Sequence, residues 1–95
     1  MFEICSKCHV NECLRDQFIQ NITQLVYTSR EEGGCISYEL FHDLENVSIY
    51  FILEVWRNEA CANSHLKSIN CIKYMKKIGK TLNKEVEINK FEKSI

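Results

Sequence analysis

The sequence predicts an α+β fold of the ferredoxin-like type, a β-α-β-β-α-β sandwich whose second helix is split. Three observations carry this. An apolar helical stripe follows a short strand-like run and stops at Gly33-Gly34. Two β-prone runs then sit back to back around a polar turn. Two separately capped helical stretches and a final alternating run complete the order.

Taking the elements in turn, Phe2 to Val10 is short and apolar enough to be the first strand. Asn11 is placed to cap the helix after it, with Glu12 favourably near its N-terminus. Leu14, Phe18, Ile22, Leu25 and Val26 recur at three- and four-residue spacing, the signature of one buried helical face. Glycine accepts the left-handed geometry of a helix C-cap, so Gly33-Gly34 ends it.

Cys35 to Asp43 and Val47 to Trp56 read as a hairpin joined by Leu44-Glu45-Asn46. In the second of these strands Val47, Ile49, Phe51, Leu53 and Val55 share one side, and Ser48, Tyr50, Ile52, Glu54 and Trp56 share the other. A sheet that is apolar on both faces needs a cover on both, helices on one and a second subunit or ligand on the other. Asn58 caps a short helix through Leu66, and Ser68 caps a longer one through Leu82 with Ile72, Met75, Gly79 and Leu82 expected inward. Glu85 to Glu92 forms the last strand around Val86, Ile88 and Phe91. The 95 residues are expected to form one domain, residues 1–95, small enough for dimerisation to be a natural supplement to its core.

Composition narrows the function classes. A net charge of −1 argues against a general nucleic-acid or anionic-membrane partner. From Lys67 onward eight lysines face three glutamates, but most fall on the polar side of a helix and read as a solvated face. No segment approaches the ~20 apolar residues of a membrane span, and the N-terminus lacks a signal-peptide layout, so a cytoplasmic location is expected. The six cysteines are then reduced thiols behaving as small hydrophobes. Cys5-Ser6-Lys7-Cys8-His9 spells C-x-x-C-H, a haem-attachment pattern, and Cys13 nearby suggests metal. In a strand, however, Cys5 and Cys8 point to opposite faces, so neither haem nor metal is expected.

The chemistry-bearing residues cluster between Glu32 and His65. His65 is the candidate general base, since imidazole titrates near neutrality, though it reads equally as a residue bridging two helices. Trp56 offers a flat apolar wall with one N–H donor, or plain core packing. Glu54, on the same strand face, must be paired, hydrogen-bonded or shifted in pKa. It would orient His65 or bind a substrate hydroxyl, or else pair with Arg57 or Lys7. Tyr38 is a candidate donor to an oxyanion. Tyr50 and Phe18 belong to the pocket wall or the core, and His42 reads as exposed near a turn.

The segments Glu32-Gly33-Gly34-Cys35-Ile36-Ser37-Tyr38-Glu39-Leu40 and Glu54-Val55-Trp56, with the step from Trp56 through Glu59-Ala60 to His65, resemble the antibiotic biosynthesis monooxygenase family, also called quinol-monooxygenase-like. The resemblance covers nearly the whole chain. It implies a homodimer whose sheets combine into an α+β barrel, with a small-molecule pocket between sheet and helices in each subunit. It also implies chemistry with no cofactor: a phenol or quinol is deprotonated and its anion reacts with oxygen directly. On that basis His65, Glu54 and Tyr38 are the expected catalytic residues, and Trp56, Tyr50 and Phe18 the expected substrate-binding ones. Similar proteins that degrade haem use an asparagine where this chain has Lys7 or Cys8, a tryptophan at His65 and a histidine near Met75, so haem degradation is set aside. One departure touches the commoner pattern: a second histidine often follows five residues after the first, and here that position is Asn70. Two alternatives stand beside the oxygenase. One is an isomerase or degradation enzyme for a small phosphosugar-like carbonyl, its phosphate held by Lys67, Lys73 or Lys76. The other is a non-enzymatic ligand-binding stress protein.

Overall fold

The computed structural model describes all 95 residues. Four strands, β1 (Phe2–His9), β2 (Cys35–His42), β3 (Ile49–Trp56) and β4 (Glu87–Glu92), form one antiparallel sheet in the order β2-β3-β1-β4. Helices α1 (Arg15–Arg30), α2 (Glu59–Leu66) and α3 (Ile69–Gly79) complete the ferredoxin-like α+β arrangement, and the break between α2 and α3 is the expected split.

The C-x-x-C-H run lies in strand β1. Ile4, Ser6 and Cys8 are buried towards the helices while Cys5 and Lys7 face the other way, half-buried. Asn11 caps as expected, its side chain accepting from the Cys13 N–H at 3.0 Å, but it caps a short 3-10 turn at Glu12–Leu14 before α1 begins. The α1 stripe buries Phe18, Ile22, Leu25, Val26 and Ser29.

Gly34 sets the register of the rest. It is the chain's one positive-φ residue, at +85°, and a Cβ there would lie 2.7 Å from the Cys61 Cβ and nearer still to its sulfur. Its carbonyl accepts from the Arg57 N–H at 2.8 Å, fastening the start of β2 beside the end of β3. An irregularity between Cys35 and Ser37 then lets Ile36 bulge out, and from Ser37 onward Tyr38 pairs opposite Glu54.

Several boundaries and one helix face differ from expectation, β1 ending at His9 and β2 at His42, each one residue early. The hairpin turn is longer than Leu44-Glu45-Asn46 because Asp43 and Asn46 side chains accept from Glu45 and Ser48 N–H groups, which takes Val47 out of β3. The inward face of α3 is Cys71, Tyr74, Met75 and Ile78, whereas Ile72 is 59% exposed and Gly79 is exposed. The Ser68 side chain accepts from the Cys71 N–H, and from that start a stripe of period 3.6 runs through cysteine and tyrosine. The helix stops at Gly79, not Leu82, because Thr81 turns both its N–H and its hydroxyl onto the Ile78 carbonyl. β4 consequently begins at Glu87, two residues late.

The helices cover one sheet face only. On the other, Phe41, Leu53 and Phe91 are 45%, 41% and 53% exposed and line a groove of about 500 Å³ with Glu3, Cys5 and Glu39. That face is the uncovered apolar one, and it carries Leu53 and Val55 rather than Glu54 and Trp56.

Gly34→Ala combines a positive-φ penalty of about 1–3 kcal/mol with a clash against α2. The expected outcome is a loss of at least about 2 kcal/mol in urea denaturation, and a loss below about 0.5 kcal/mol would refute this role for Gly34.

Candidate active site

Asn58 opens α2, its side chain accepting from the Cys61 N–H at 2.9 Å, and the helix drops His65 onto the sheet from its last turn. His65 is 1% exposed. Its imidazole lies 4.7 Å from the Trp56 indole, tilted by 31°, and 5.4 Å from the Tyr38 ring, edge on.

Both ring nitrogens meet a carboxylate. Nδ1 is 2.9 Å from Glu32 Oε2, and because a carboxylate accepts, Nδ1 carries the hydrogen. Nε2 is buried without a hydrogen-bond partner, 3.7 Å from Glu54 Oε1. In the neutral ring that nitrogen is the basic one, so the geometry leaves the lone pair at the interior end.

Glu54 is itself buried, and its Oε1 accepts from the Trp56 indole N–H at 2.9 Å. Burial pushes its carboxyl above the ordinary value of 4.5, with the Trp56 hydrogen bond and the imidazole opposing and Glu32 adding to the rise. Burial, then the charge of Glu54, holds the Tyr38 phenol far above its usual range, so Tyr38 is a neutral donor. Burial also pushes the Cys71 thiol up to about 11, leaving it protonated and a poor nucleophile.

A cavity of about 120 Å³ lies between this group and the β4 edge. Tyr38, Glu54 and His65 line it together. Ile4, Ser6 and Ile52 supply the sheet side, Leu66, Cys71 and Met75 the helix side, and Ile88 and Lys90 the β4 side.

The six residues anticipated for the site therefore divide. The three expected catalytic residues meet in the cavity, but the three expected substrate-binding ones do not line it. Trp56 is fully buried, its N–H taken by Glu54 and its face by His65, so it supports those residues from outside the cavity. Phe18 and Tyr50 pack on each other at 5.0 Å, and the Tyr50 hydroxyl accepts from Arg15 Nε at 3.1 Å. Four residues along β3 from Glu54 is roughly 14 Å, which puts them at the other end of the core. Glu54 pairs with neither Arg57 nor Lys7; Lys7 lies on the open face over the Phe51 ring. Lys67, Lys73 and Lys76 are exposed and none lines the cavity, so they form no phosphate rim around it. Asn70 is exposed on the first turn of α3, so the missing second histidine takes nothing from the cavity wall. His42 is exposed, as expected.

Sequence reasoning missed Glu32 and Lys90 as site residues. Glu32 stands 33 positions from His65, beyond the reach of any local pattern. Its one signal is its place immediately before Gly33-Gly34, in the turn that brings the chain back beside the end of β3.

A ferredoxin-like sheet with a histidine and carboxylates beneath two short helices defines a class of small α+β proteins with an enclosed acid–base pocket. The chain belongs to the antibiotic biosynthesis monooxygenase family, whose sequence pattern it matches over residues 1–77. It is similar to the Synechocystis protein sll1783, 31% identical over 74 residues, which are 78% of this chain and 50% of that one. It is also similar to YcnE of Bacillus subtilis, a protein provisionally named as a monooxygenase, 33% identical over 51 residues and 54% of each chain. The chain thus spans about half the length of these two relatives. A conserved protein from Methanosarcina mazei superposes with a TM-score of 0.96 at 28% identity, covering 98% of this chain and 92% of that one. The family's name and that of YcnE both refer to monooxygenases. No helix is long and apolar enough to cross a membrane.

The raised Glu54 pKa has a stability consequence. The native state holds this proton more tightly than the unfolded chain, so the contribution is complete below about pH 4.5 and is lost as pH rises through the folded pKa. Glu54→Gln keeps an acceptor for the Trp56 N–H and has no proton to lose. Urea denaturation between pH 4.5 and 8 should show a shallower decline in the variant, and parallel profiles would contradict the shift.

Proposed function

We propose that the chain is a cofactor-independent monooxygenase acting on a small phenol or quinol. The observation that carries this is the buried, unpartnered Nε2 of His65, a residue that lines the cavity, while Glu32 holds Nδ1. A substrate hydroxyl in the cavity would deliver its proton to Nε2, and the imidazolium so formed lies between Glu32 and Glu54. The neutral Tyr38 phenol, which lines the cavity beside Glu54, is a donor for the phenolate oxygen. The phenolate passes one electron to dioxygen, and the radical pair combines to form a C–O bond. Protonation by His65 gives a hydroperoxide, and loss of water leaves a new carbonyl. One oxygen atom enters the product and the other leaves as water, with all the electrons coming from substrate. The apolar walls formed by Ile4, Ile52 and Met75 keep bulk water from the carbanionic carbon.

Oxygen uptake with a panel of reduced quinones and phenols tests the reading. His65→Ala should lower kcat by about 10²–10⁴-fold. Glu32→Gln should lower it less and displace the pH profile, because the ring keeps a hydrogen-bond partner but loses a counter-charge. Product that forms equally well without oxygen would assign the same base to an isomerase. Absence of any turnover alongside ligand binding would favour the stress-protein reading.

We further propose that the open sheet face is covered by the same face of a second copy, giving the dimeric barrel. The support is its apolar content, Phe41, Leu53, Val55 and Phe91, on a sheet whose opposite face already holds the helices. Sedimentation should give the mass of two chains for the native protein and of one chain for Leu53→Glu. A native monomer at micromolar concentration would refute the pairing.

A further inference from the structure

The shape and charge of the cavity narrow the substrate, on the reading that it is the site of oxygenation. Its volume of about 120 Å³ is on the scale of the roughly 150 Å³ apolar protein cavity that holds one benzene, which suits a single ring better than a fused pair.

The ends of that space differ. The inner end carries His65, Glu54 and Tyr38, and the middle is bounded by Ile4, Ile52 and Ile88. Lys90, on the exposed edge strand β4, is the one lysine or arginine in the lining. Register fixes where it stands. Tyr38 pairs opposite Glu54, Glu54 opposite Ile4, and Ile4 opposite Lys90, so these four form one row across the helix-covered side of the sheet. Lys90 is two strands from Glu54, roughly 10 Å between backbones. Its ammonium makes no ion pair with any carboxylate of the chain, unlike Lys84, which pairs with Glu87. An unpaired cation thus borders the cavity two strands away from the acid–base group.

We propose that the substrate is a single-ring phenol or hydroquinone bearing a small anionic substituent, and that Lys90 is the specificity-determining residue that selects it. The hydroxyl is received by His65 at the inner end, and the anion lies at the β4 edge against the lysine ammonium.

The test compares 2,5-dihydroxybenzoate, its neutral amide and a fused two-ring hydroquinone, by oxygen uptake and by anaerobic titration calorimetry. The native protein should favour the benzoate over the amide by about ten-fold in kcat/KM and in affinity, the benefit of one charge-assisted contact. Lys90→Met should reduce that preference to within about two-fold through KM, and Lys90→Glu should reverse it. The fused-ring compound should bind at least ten-fold more weakly than the benzoate. Equal affinity for benzoate and amide, or a preference that survives Lys90→Met, would overturn the assignment. If no compound consumes oxygen but the charge preference in binding follows Lys90, the oxygenase reading fails and this one stands. If all three are turned over equally well, the oxygenase reading stands and this one fails.

Discussion

A buried imidazole has to satisfy two nitrogens, and the structure around His65 satisfies only one. Glu32 accepts from Nδ1, which selects the tautomer and prevents the ring from turning. Nε2 is then left as an unmade hydrogen bond inside the protein, normally a penalty of about 1–3 kcal/mol. Trp56 and Tyr38 hold the ring in place through its faces and edge, so it cannot move to find a partner. A strained polar group of this kind, retained next to a cavity, is what a proton acceptor for a bound molecule requires.

The clamp depends on backbone features far apart in sequence. Glu32 lies in a turn whose exit is the positive-φ Gly34, and Gly34 is packed so tightly on Cys61 that the turn and α2 form one unit. His65 is one helical turn beyond Cys61, so the distance between Glu32 and His65 is set through that contact. The bulge after Cys35 works on the same geometry from the sheet side. Were Ile36 paired regularly opposite Val55, Tyr38 would stand opposite Leu53 on the open side and Glu54 opposite Ser37.

Much of this was legible in the sequence because local patterns report local geometry. Strand alternation put Glu54 and Trp56 on one face, and cap residues Asn58 and Ser68 marked the split helix. What escaped were contacts that alternation cannot rank. Phe18 and Tyr50 share the helix-covered side with Tyr38 and Glu54, and nothing in a period of two or 3.6 tells which end of that layer is hollow. Of the two readings of Trp56, wall or packing, alternation favours neither, and its N–H finds a partner two residues away on its own strand, outside the cavity lining. The α3 face was displaced by one position because Cys71 and Tyr74 do not stand out as apolar beside Ile72. Lys90 was hidden among eight C-terminal lysines, distinguished only by pairing register.

The two faces of the sheet divide the molecule's chemistry. Side chains of β1 and β3 that point to the helices are sequestered with the base, while their immediate neighbours form the open groove. The strand segment Leu53-Glu54-Val55 contributes to both, Glu54 to the acid–base group and its neighbours to the exposed apolar surface. Covering the open face would therefore stiffen the strand that carries Glu54, because a half-exposed central strand exchanges solvent contact for packed contact on one side. Since Glu54 Oε1 stands 3.7 Å from Nε2, small movements of β3 decide whether that carboxyl competes with a substrate for the imidazole. On the proposed pairing and the proposed base, association at one face and proton transfer at the other would be coupled through the thickness of a single strand.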